Sequence, residues 1–176
     1  MRYVYEFTNK RKLTKREFIR WFQKKFLYII RKFKMAGKGD VIAYENKGDF
    51  RGVVLKNLLE MFSERAGIGV FRVSGRRKYT KKALTSTTDT EANKITNLII
   101  KGKAKELDKL APVYRKEIKP LFLFLDKEVL LYAKLMGLKF RKIKHKEDKI
   151  TDFVNDLEKK HPEIKNSIIS SYLELF

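Results

Sequence analysis

A short apolar strand followed by a glycine turn and a helical pattern most constrains the fold of this chain. Residues 41–44 read VIAY, the next residues read ENKGDFRG, and apolar residues at helical spacing begin with Val53. In α/β proteins this order of elements surrounds a phosphate-binding loop, whose backbone N–H groups face the ligand. The turn here carries Lys47, Asp49 and Phe50, whereas such a loop needs small residues. The pattern therefore predicts an α/β fold, and the side chains argue against an ordinary nucleotide site.

The charge of the chain indicates an acidic partner. Its 176 residues hold 42 Lys+Arg and 21 Asp+Glu, a net charge of +21, and residues 1–38 alone hold 13 basic and 2 acidic residues. Such an excess opposes compaction unless a polyanion neutralises it. No apolar run approaches the roughly 20 residues of a membrane span, and no signal peptide is visible. These observations favour nucleic acid over a membrane as the partner and predict a cytoplasmic location.

The residues best suited to metal and sulfur chemistry are scarce. The chain has no cysteine, which excludes disulfides, thiolate zinc sites, iron–sulfur clusters and cysteine nucleophiles. The two histidines, His145 and His161, are far apart in sequence. We therefore expect no bound metal, no cofactor and no catalytic residue.

The N-terminal region predicts an amphipathic helix with a basic face. Thr14 and Glu17 have the spacing of a capping box, and Gly37 is a candidate for the helix end. The apolar stripe predicted to face the core is Phe18, Phe22, Phe26, Ile29, Ile30 and Phe33. The cations off that stripe, which we interpret as a binding face, are Arg16, Arg20, Lys24, Arg31 and Lys34.

The rest of the chain alternates between predicted strands and helices. The predicted strands are 41–45, 70–73, 83–85 and the strand-like segment 118–125, and the predicted helices are 53–62, one opened by Thr88 and Glu91 and ended by Gly102, one capped by Asp126 and ended by Gly137, and two more at 151–160 and 162–175. This alternation is typical of an α/β fold with a mostly parallel sheet flanked by helices. We divide the chain into a basic segment and helix at 1–38, an α/β core at 39–149 and C-terminal helices at 150–176, in a single globular unit.

Four stretches resemble the PP-loop ATPases of the archaeal and eukaryotic cytosolic tRNA 2-thiolation group. They are FIRWFQKKFLYIIRKFKMAGKGDVIA, LTSTTDTEANKITNLIIKGK, IKPLFLFLDKEVLLYAKLMGLKF and ITDFVNDLEKKHPEIKNSIISSYLELF. Between the first and second, the glycine turn falls where that family has SGGKDS. The resemblance implies a reduced PP-loop-like fold, because the stretch between Phe62 and Ala83 is far shorter than in the family.

The departures from the family motifs concern the residues that bind its ligands. Gly48 is kept, but Lys47 stands for the first serine, Asp49 for the second glycine and Arg51 for the aspartate. The family's second motif reads TGHNLDDEAQT. Its glycine, histidine and asparagine are replaced here by Thr85, Ser86 and Thr87. Thr90 replaces one aspartate, and Asp89 and Glu91 are kept. Thr14 and Glu17 fall where the family's zinc finger has ligands, and the family's cysteines are missing.

These departures predict a chain that is not an enzyme. We expect a non-catalytic protein that binds structured RNA, either ribosomal RNA within a ribosome or tRNA. Its other expected partners are proteins of a ribonucleoprotein. The alternative is an enzyme or subunit of tRNA modification, in which Lys47, Gly48 and Asp89 retain nucleotide binding or a partner chain supplies the missing parts. A protein-interaction role for the acidic tail and DNA binding also stay open.

The predicted RNA contacts are basic clusters, which bind phosphates with little sequence information. They are Lys10, Arg11, Lys12, Lys15, Arg16, Arg20, Arg76, Arg77, Lys78, Lys81, Lys82, Arg141, Lys142, Lys144 and Lys146. Tyr79 lies within one cluster and is a candidate for stacking on an exposed base.

The former phosphate loop, Lys47, Gly48 and Arg51, has three interpretations. Its cations reach solvent after loss of function, or they attract an RNA phosphate at the helix start, or Asp49 supplies the anion that this helix start favours.

Overall fold

The computed structural model describes residues 2–73, 77–142 and 149–175. Its strands are β1 (Tyr3–Glu6), β2 (Lys12–Thr14), β3 (Val41–Tyr44), β4 (Gly69–Arg72), β5 (Lys81–Ala83), β6 (Val113–Tyr114) and β7 (Glu117–Ile118). Its helices are α1 (Lys15–Lys32), α2 (Phe50–Ala66), α3 (Thr88–Ile100), α4 (Asp126–Leu135), α5 (Lys149–Lys160) and α6 (Ile164–Leu173), and residues Ala104–Leu110 form a 3₁₀ helix.

The central sheet confirms the α/β prediction. Its strand order is β4-β3-β5-β7-β6, and only β6 runs antiparallel to its neighbour. The chain leaves β3 toward β4 on one side and returns to β5 on the other. The carboxyl ends of β3 and β5 therefore meet at a topological switch point, where open α/β sheets bind their ligands. We call this edge the switch-point edge.

One face of the sheet lies in the main hydrophobic core. Tyr44, Ala83 and Ile118 are paired in register across β3, β5 and β7, so they project from the same face, and all three are buried. Helices α1, α2 and α4 pack on one another beside this core. The predicted aromatic stripe of α1 is central to it, since the ring of Phe22 lies 4.2 Å from that of Phe124 and 4.3 Å from that of Tyr132.

Helix α1 begins as predicted and ends earlier than predicted. The Glu17 carboxylate accepts a hydrogen bond from the Thr14 backbone N–H at 2.8 Å, and Thr14 Oγ1 in turn accepts from the Glu17 N–H. The predicted end at Gly37 is wrong. Lys34 takes the left-handed conformation with φ 48°, and the N–H of Met35 donates to the Ile30 carbonyl. The burial of Met35 fixes this end, so a lysine fills a position that usually takes glycine.

Helix α2 is longer than predicted, and its start lies inside the former phosphate loop. It begins at Phe50, three residues before Val53, because the Asp49 side chain caps it. Its end is a left-handed Gly67 with φ 62°. The residues at positions 50–52 therefore belong to the first turn of a helix.

Two further predicted helix starts are displaced by one residue. Thr87, and not Thr88, caps α3, with Thr90 as its partner in the capping box. Asp126 is the first residue of α4 and not its cap, and the Glu128 carboxylate accepts from the Leu125 N–H at 3.0 Å. The predicted end of α4 at Gly137 is confirmed by its φ of 67°.

The segment 118–125 is mostly not a strand, contrary to the prediction. Only Ile118 belongs to β7, and the chain then turns through Pro120 and the buried residues that follow it. Pro120 has no N–H to donate to a strand ladder. The hairpins β1–β2 and β6–β7 were not predicted, because each strand has four residues or fewer. The two predicted C-terminal helices are present, but α5 begins two residues before the predicted 151, and α6 begins two residues after the predicted 162 and ends two before 175. Ile169 and Tyr172 of α6 pack with Ile95 of α3 in a second, smaller core.

Candidate nucleic-acid interface

The former phosphate loop is filled by its own side chains. Asn46 Oδ1 accepts from the Gly48 N–H at 2.8 Å, and Asp49 Oδ1 accepts from the Gly52 N–H at 2.9 Å. A Cβ at Gly52 would lie 2.7 Å from Asn46 Oδ1 and 3.0 Å from Asp49 Oδ1, so a larger residue at this position would displace these two side chains. The backbone donors that an external phosphate would use at these two positions are therefore already satisfied.

Arg51 pairs with an internal carboxylate. It projects from the first turn of α2, and its Nε donates to Asp126 Oδ1 at 2.7 Å while a terminal nitrogen donates to Asp126 Oδ2. Thr87 Oγ1 donates to the same Asp126 Oδ1 at 2.8 Å. Burial alone would lower the pKa of Arg51, but the hydrogen bonds and charge of Asp126 raise it above its ordinary value. Of the three interpretations, the third holds for Asp49, whose carboxylate supplies the anion at the start of α2. The guanidinium of Arg51 does not extend into solvent, and its bonds to Asp126 leave it unavailable to a phosphate.

A second carboxylate at the switch-point edge is held by the C-terminal helices. Asp89 Oδ2 accepts from the Asp126 N–H, and Asp89 Oδ1 accepts from Lys165 Nζ, both at 2.7 Å. Lys165 is only 4% exposed and also donates to Glu158 at 2.7 Å. Burial, followed by the nearby charge of Asp126, raises the pKa of Asp89. The buried ammonium of Lys165 thus bonds to two carboxylates, those of Asp89 and Glu158, whose side chains are 17% and 28% exposed.

A third buried ion pair lies between α3 and the turn after β7. Lys119 Nζ donates to Glu91 Oε2 at 2.8 Å and to the Leu110 carbonyl at 2.7 Å, and the Glu91 side chain is fully buried. The side chain of Glu91 was predicted to take part in the cap of α3, but it is the buried partner of Lys119 instead. Like Asp126 and Asp89, it is matched by a cation from a distant part of the chain.

The cations Lys47 and Arg141, at the rim of the former phosphate loop, differ from Arg51 and Lys165 because no internal carboxylate in the described part of the chain binds them. Lys47 is exposed, and Arg141 lies beside the loop because its N–H donates to the Gly48 carbonyl at 2.7 Å. Neither side chain makes an ion pair among residues 2–73, 77–142 and 149–175. Of the predicted loop cations, Lys47 is therefore the one left available to a ligand.

A basic groove runs along α1, and we call it the α1 groove. Its volume is about 650 Å³, and it is lined by Arg11, Leu13, Glu17, Arg20, Trp21, Lys24, Lys25 and Tyr28. Lys25 is held inside it, 3.2 Å from Glu128 and over the rings of Trp21 and Phe124, and burial lowers its pKa. The cations of Arg11, Arg20 and Lys24 are exposed and make no ion pair within the described part of the chain. Tyr28, half exposed, adds an aromatic face.

The predicted RNA-binding residues fall in several places. Arg11 and Arg20 meet in the α1 groove, whereas Lys10 and Lys12 lie within 4 Å of Glu6 and are partly neutralised. Lys82 and Tyr79 line a separate groove on the central sheet. The remaining exposed cations are Lys15, Arg16, Arg77, Lys78, Arg141 and Lys142, with Lys81 partly buried in β5. Arg76, Lys144 and Lys146 lie outside the described residues.

Sequence reasoning missed the aromatic lining of the α1 groove. Trp21 and Tyr28 lie between the apolar stripe and the basic face. Trp21 follows Glu17 by one helical turn and Tyr28 follows Trp21 by two, and that spacing was the available signal. Lys165 was also missed, because nothing local in sequence marks a lysine as the partner of Asp89.

Within the described ranges, no helix is long and apolar enough to cross a membrane. No family model matches the chain, and no curated protein matches its sequence.

Among solved structures, the fold matches the U34-tRNA thiolase NcsA from Methanococcus maripaludis, which was solved with its 4Fe-4S cluster. The TM-score is 0.78 at 19% identity, over 98% of this chain and 84% of the thiolase. The expectation that this chain is not an enzyme is contradicted by the comparison, because the protein with the matching fold is an enzyme. A 4Fe-4S cluster does not fit the residues present here, since thiolates hold such clusters and the chain has no cysteine. The chain has the α/β fold of the PP-loop ATPase group.

Proposed function

We propose that this chain binds tRNA and acts in tRNA modification, as an enzyme or as a subunit of one. The observation that carries the proposal is the α1 groove, whose exposed cations Arg11, Arg20 and Lys24 make no ion pair with any residue that the structure describes. The likeness in fold to a tRNA thiolase supports tRNA as the polyanion. The comparison gives no support to a ribosomal role.

The groove suits structured RNA in its chemistry. Guanidinium and ammonium groups neutralise backbone phosphates and release counterions, which is the main source of affinity in such interfaces. Tyr28, which is half exposed, adds aromatic surface of the kind on which unpaired bases stack, whereas the ring of Trp21 already packs against Tyr5 and Lys25. The groove therefore combines the two classes of contact that a folded RNA offers.

The chemical step needs groups that this chain does not carry. If the modification is a thiolation, the sulfur must come from a partner chain or a small molecule, because the sequence has no cysteine. Residual nucleotide binding at Lys47, Gly48 and Asp89 is part of the same proposal. It requires a nucleotide to compete with Asn46 and Asp49 for the loop N–H groups.

Binding is tested with a tRNA titration at several salt concentrations. Neutralising about six phosphates gives a log–log slope on the order of −5. The double variant Arg20→Ala/Lys24→Ala should weaken binding and make the slope shallower by about two. The matched control is Lys101→Ala/Lys105→Ala, which removes equal charge from exposed positions outside the groove. Equal effects of the two double variants would show that net charge, and not this groove, binds the tRNA.

The role in modification is tested separately, by analysis of tRNA nucleosides from cells that lack the chain. The proposal expects one modified nucleoside to disappear and to return with the wild-type gene. An unchanged nucleoside profile, or tighter binding of a ribosomal RNA fragment than of tRNA, would contradict it.

We also propose that segments 1–38, 39–149 and 150–176 form one unit. The bond from Lys165 to Asp89 and the contact of Lys25 with Glu128 support this, since each joins two of the segments. Limited proteolysis should then give no stable fragment that ends near residue 149.

A further inference from the structure

The central sheet carries a second groove, on the face opposite the main core. Its volume is about 530 Å³, and it is lined by Tyr79, Lys82, Tyr114, Arg115, Lys116 and Glu117. This volume lies in the usual range of small-ligand pockets, about 300–1,000 Å³. We call it the sheet groove.

The register of three neighbouring strands builds this groove. Lys82 of β5 is paired with Glu117 of β7, which is paired with Tyr114 of β6, so the three side chains project from one face. Ile118, the neighbour of Glu117, is buried in the core on the other face. The sheet itself therefore places an aromatic ring, a carboxylate and a cation in one row.

The other residues that line the sheet groove supply cations and a second aromatic ring. Arg115 has φ 54° in the two-residue turn between β6 and β7, and its guanidinium lies 5.3 Å from the Tyr114 ring centroid. Lys116, beside it, is exposed, and Tyr79 is 36% exposed. Lys82 is held by Glu45 at 2.6 Å. Among the described residues, the Glu117 carboxylate has no hydrogen bond or ion pair, so it is available to an N–H donor.

We propose that the sheet groove binds an unpaired guanine of single-stranded RNA, an inference that rests on the proposed function and names a subsite of it. Tyr79 and the Tyr114–Arg115 pair offer stacking surfaces for a base, and Arg115 and Lys116 are placed to meet the flanking phosphate. Guanine presents two adjacent donors, N1–H and N2–H, that match the two oxygens of Glu117. Uracil presents a single donor between two carbonyl oxygens, which the carboxylate repels.

The test uses the full chain and two fluorescent RNA octamers, one of uridines only and one with a single central guanosine. The guanosine octamer should bind about 5- to 100-fold more tightly, the range for one bidentate base contact. Glu117→Gln should remove most of this preference, because an amide offers one acceptor and one donor. Equal affinity of the wild type for the two octamers would overturn the inference.

Stacking is tested with matched tyrosine variants. Tyr79→Ala should weaken binding of both octamers by about 5- to 100-fold, while Tyr79→Phe, which keeps the ring, should bind as the wild type does. Tyr3→Ala is the control, since Tyr3 is 54% exposed on the separate β1–β2 sheet. Tyr79→Ala and Tyr3→Ala variants with the same octamer affinity would overturn the inference.

Two readouts separate this inference from the proposed function. If the wild type binds tRNA through the α1 groove but Tyr79→Ala changes neither octamer nor tRNA affinity, only the sheet groove is refuted. If tRNA binding fails while the guanosine octamer still depends on Tyr79 and Glu117, the groove stands and the proposed function falls. Ultraviolet crosslinking of the guanosine octamer to wild-type protein, mapped by mass spectrometry, needs no variant. Crosslinks to Tyr79 or Tyr114 support the inference, and crosslinks confined to other residues oppose it.

Discussion

The switch-point edge and the α1 groove are both rich in charge, but they use it in opposite ways. At the switch-point edge, Arg51 pairs with Asp126 and Lys165 pairs with Asp89, so the buried charges match one another. In the α1 groove, Arg20 and Lys24 are exposed and have no anionic partner in the described part of the chain. The difference teaches that charge indicates a ligand site only where the fold has left that charge unpaired.

The largest expected effect comes from removing the cation between Asp89 and Glu158. Lys165→Met leaves the largely buried carboxylate of Asp89, and the partly exposed one of Glu158, without their cation. Removing one partner of a buried pair costs about 3–5 kcal/mol of unfolding free energy. Chemical denaturation at pH 7 measures it. The control is Lys159→Met, which removes an exposed ion pair with Asp156 and should leave stability unchanged. Equal effects of the two variants would abolish the contrast between buried and exposed charge.

The same variant makes a prediction about pH. The pKa of Asp89 is raised in the folded protein, first by burial and then by the charge of Asp126. The stability that Asp89 contributes through this shift is therefore fully present below its ordinary pKa and is lost as pH rises through the raised pKa. Removing Lys165 takes away a cation that lowers this pKa. The stability deficit of Lys165→Met should therefore be larger at pH 7 than near pH 4, as measured by thermal unfolding. A deficit that grows on acidification would contradict this assignment.

A smaller effect is expected for the bidentate pair at the start of α2. Arg51→Ala should cost about 1.5–3 kcal/mol, the range for hydrogen bonds to a charged group. Arg51→Lys should recover only part of this, because an ammonium does not reproduce two parallel bonds to Asp126. A double-mutant cycle with Asp126→Ala measures the coupling directly, and a coupling near zero would show that the pair contributes nothing.

Substitutions at the N-terminus of α1 should change the free energy of unfolding by an intermediate amount. Thr14→Ala removes the helix cap beside the α1 groove and should cost about 1 kcal/mol. Glu17→Gln keeps the capping geometry but titrates no longer. The Thr14 N–H lowers the pKa of Glu17, so its contribution is present above the ordinary value and is lost as pH falls through the lowered one. Unfolding curves of Glu17→Gln should lack this loss in acid, and identical acid profiles would refute it.

The smallest change in stability is expected at the loop, where it sharpens the comparison. Asp49→Asn keeps a good cap for α2 and should change stability by less than about 0.5 kcal/mol. It also removes a negative charge from the place where a nucleotide phosphate would lie, so affinity for Mg-ATP should rise, roughly tenfold. Isothermal titration calorimetry measures the Mg-ATP affinity of the wild type and of Asp49→Asn. An unchanged affinity would show that Asp49 is not what opposes a phosphate there.

Local patterns explain most of what could be predicted from the sequence. The cap at Thr14, the aromatic stripe of α1, the end of α4 at Gly137 and the alternation of strands and helices all depend on residues close in sequence, and the structure confirms them. The end of α1 was mispredicted because the burial of Met35, a tertiary effect, outweighs the preference for glycine.

The candidate site was less predictable because it depends on distant partners. Arg51 was expected to reach solvent or a phosphate, but Asp126, 75 residues away, binds it. The sheet groove depends on the register of β5, β6 and β7, which sequence patterns do not give for such short strands. Cation clusters alone did not distinguish Lys10 and Lys12, which lie close to Glu6, from Arg20, which has no such partner.

The bond between Lys165 and Asp89 also sets an order of events in synthesis. The two residues are 76 positions apart. At roughly 5–20 residues per second, Lys165 is made about 4–15 s after Asp89. During that interval α3 has a carboxylate to bury and no cation to neutralise it, so the docking of α3 at the switch-point edge must wait for α6. Ribosome-bound chains arrested before Lys165 should therefore show fast amide hydrogen exchange in α3, and protection there before Lys165 is made would contradict this order.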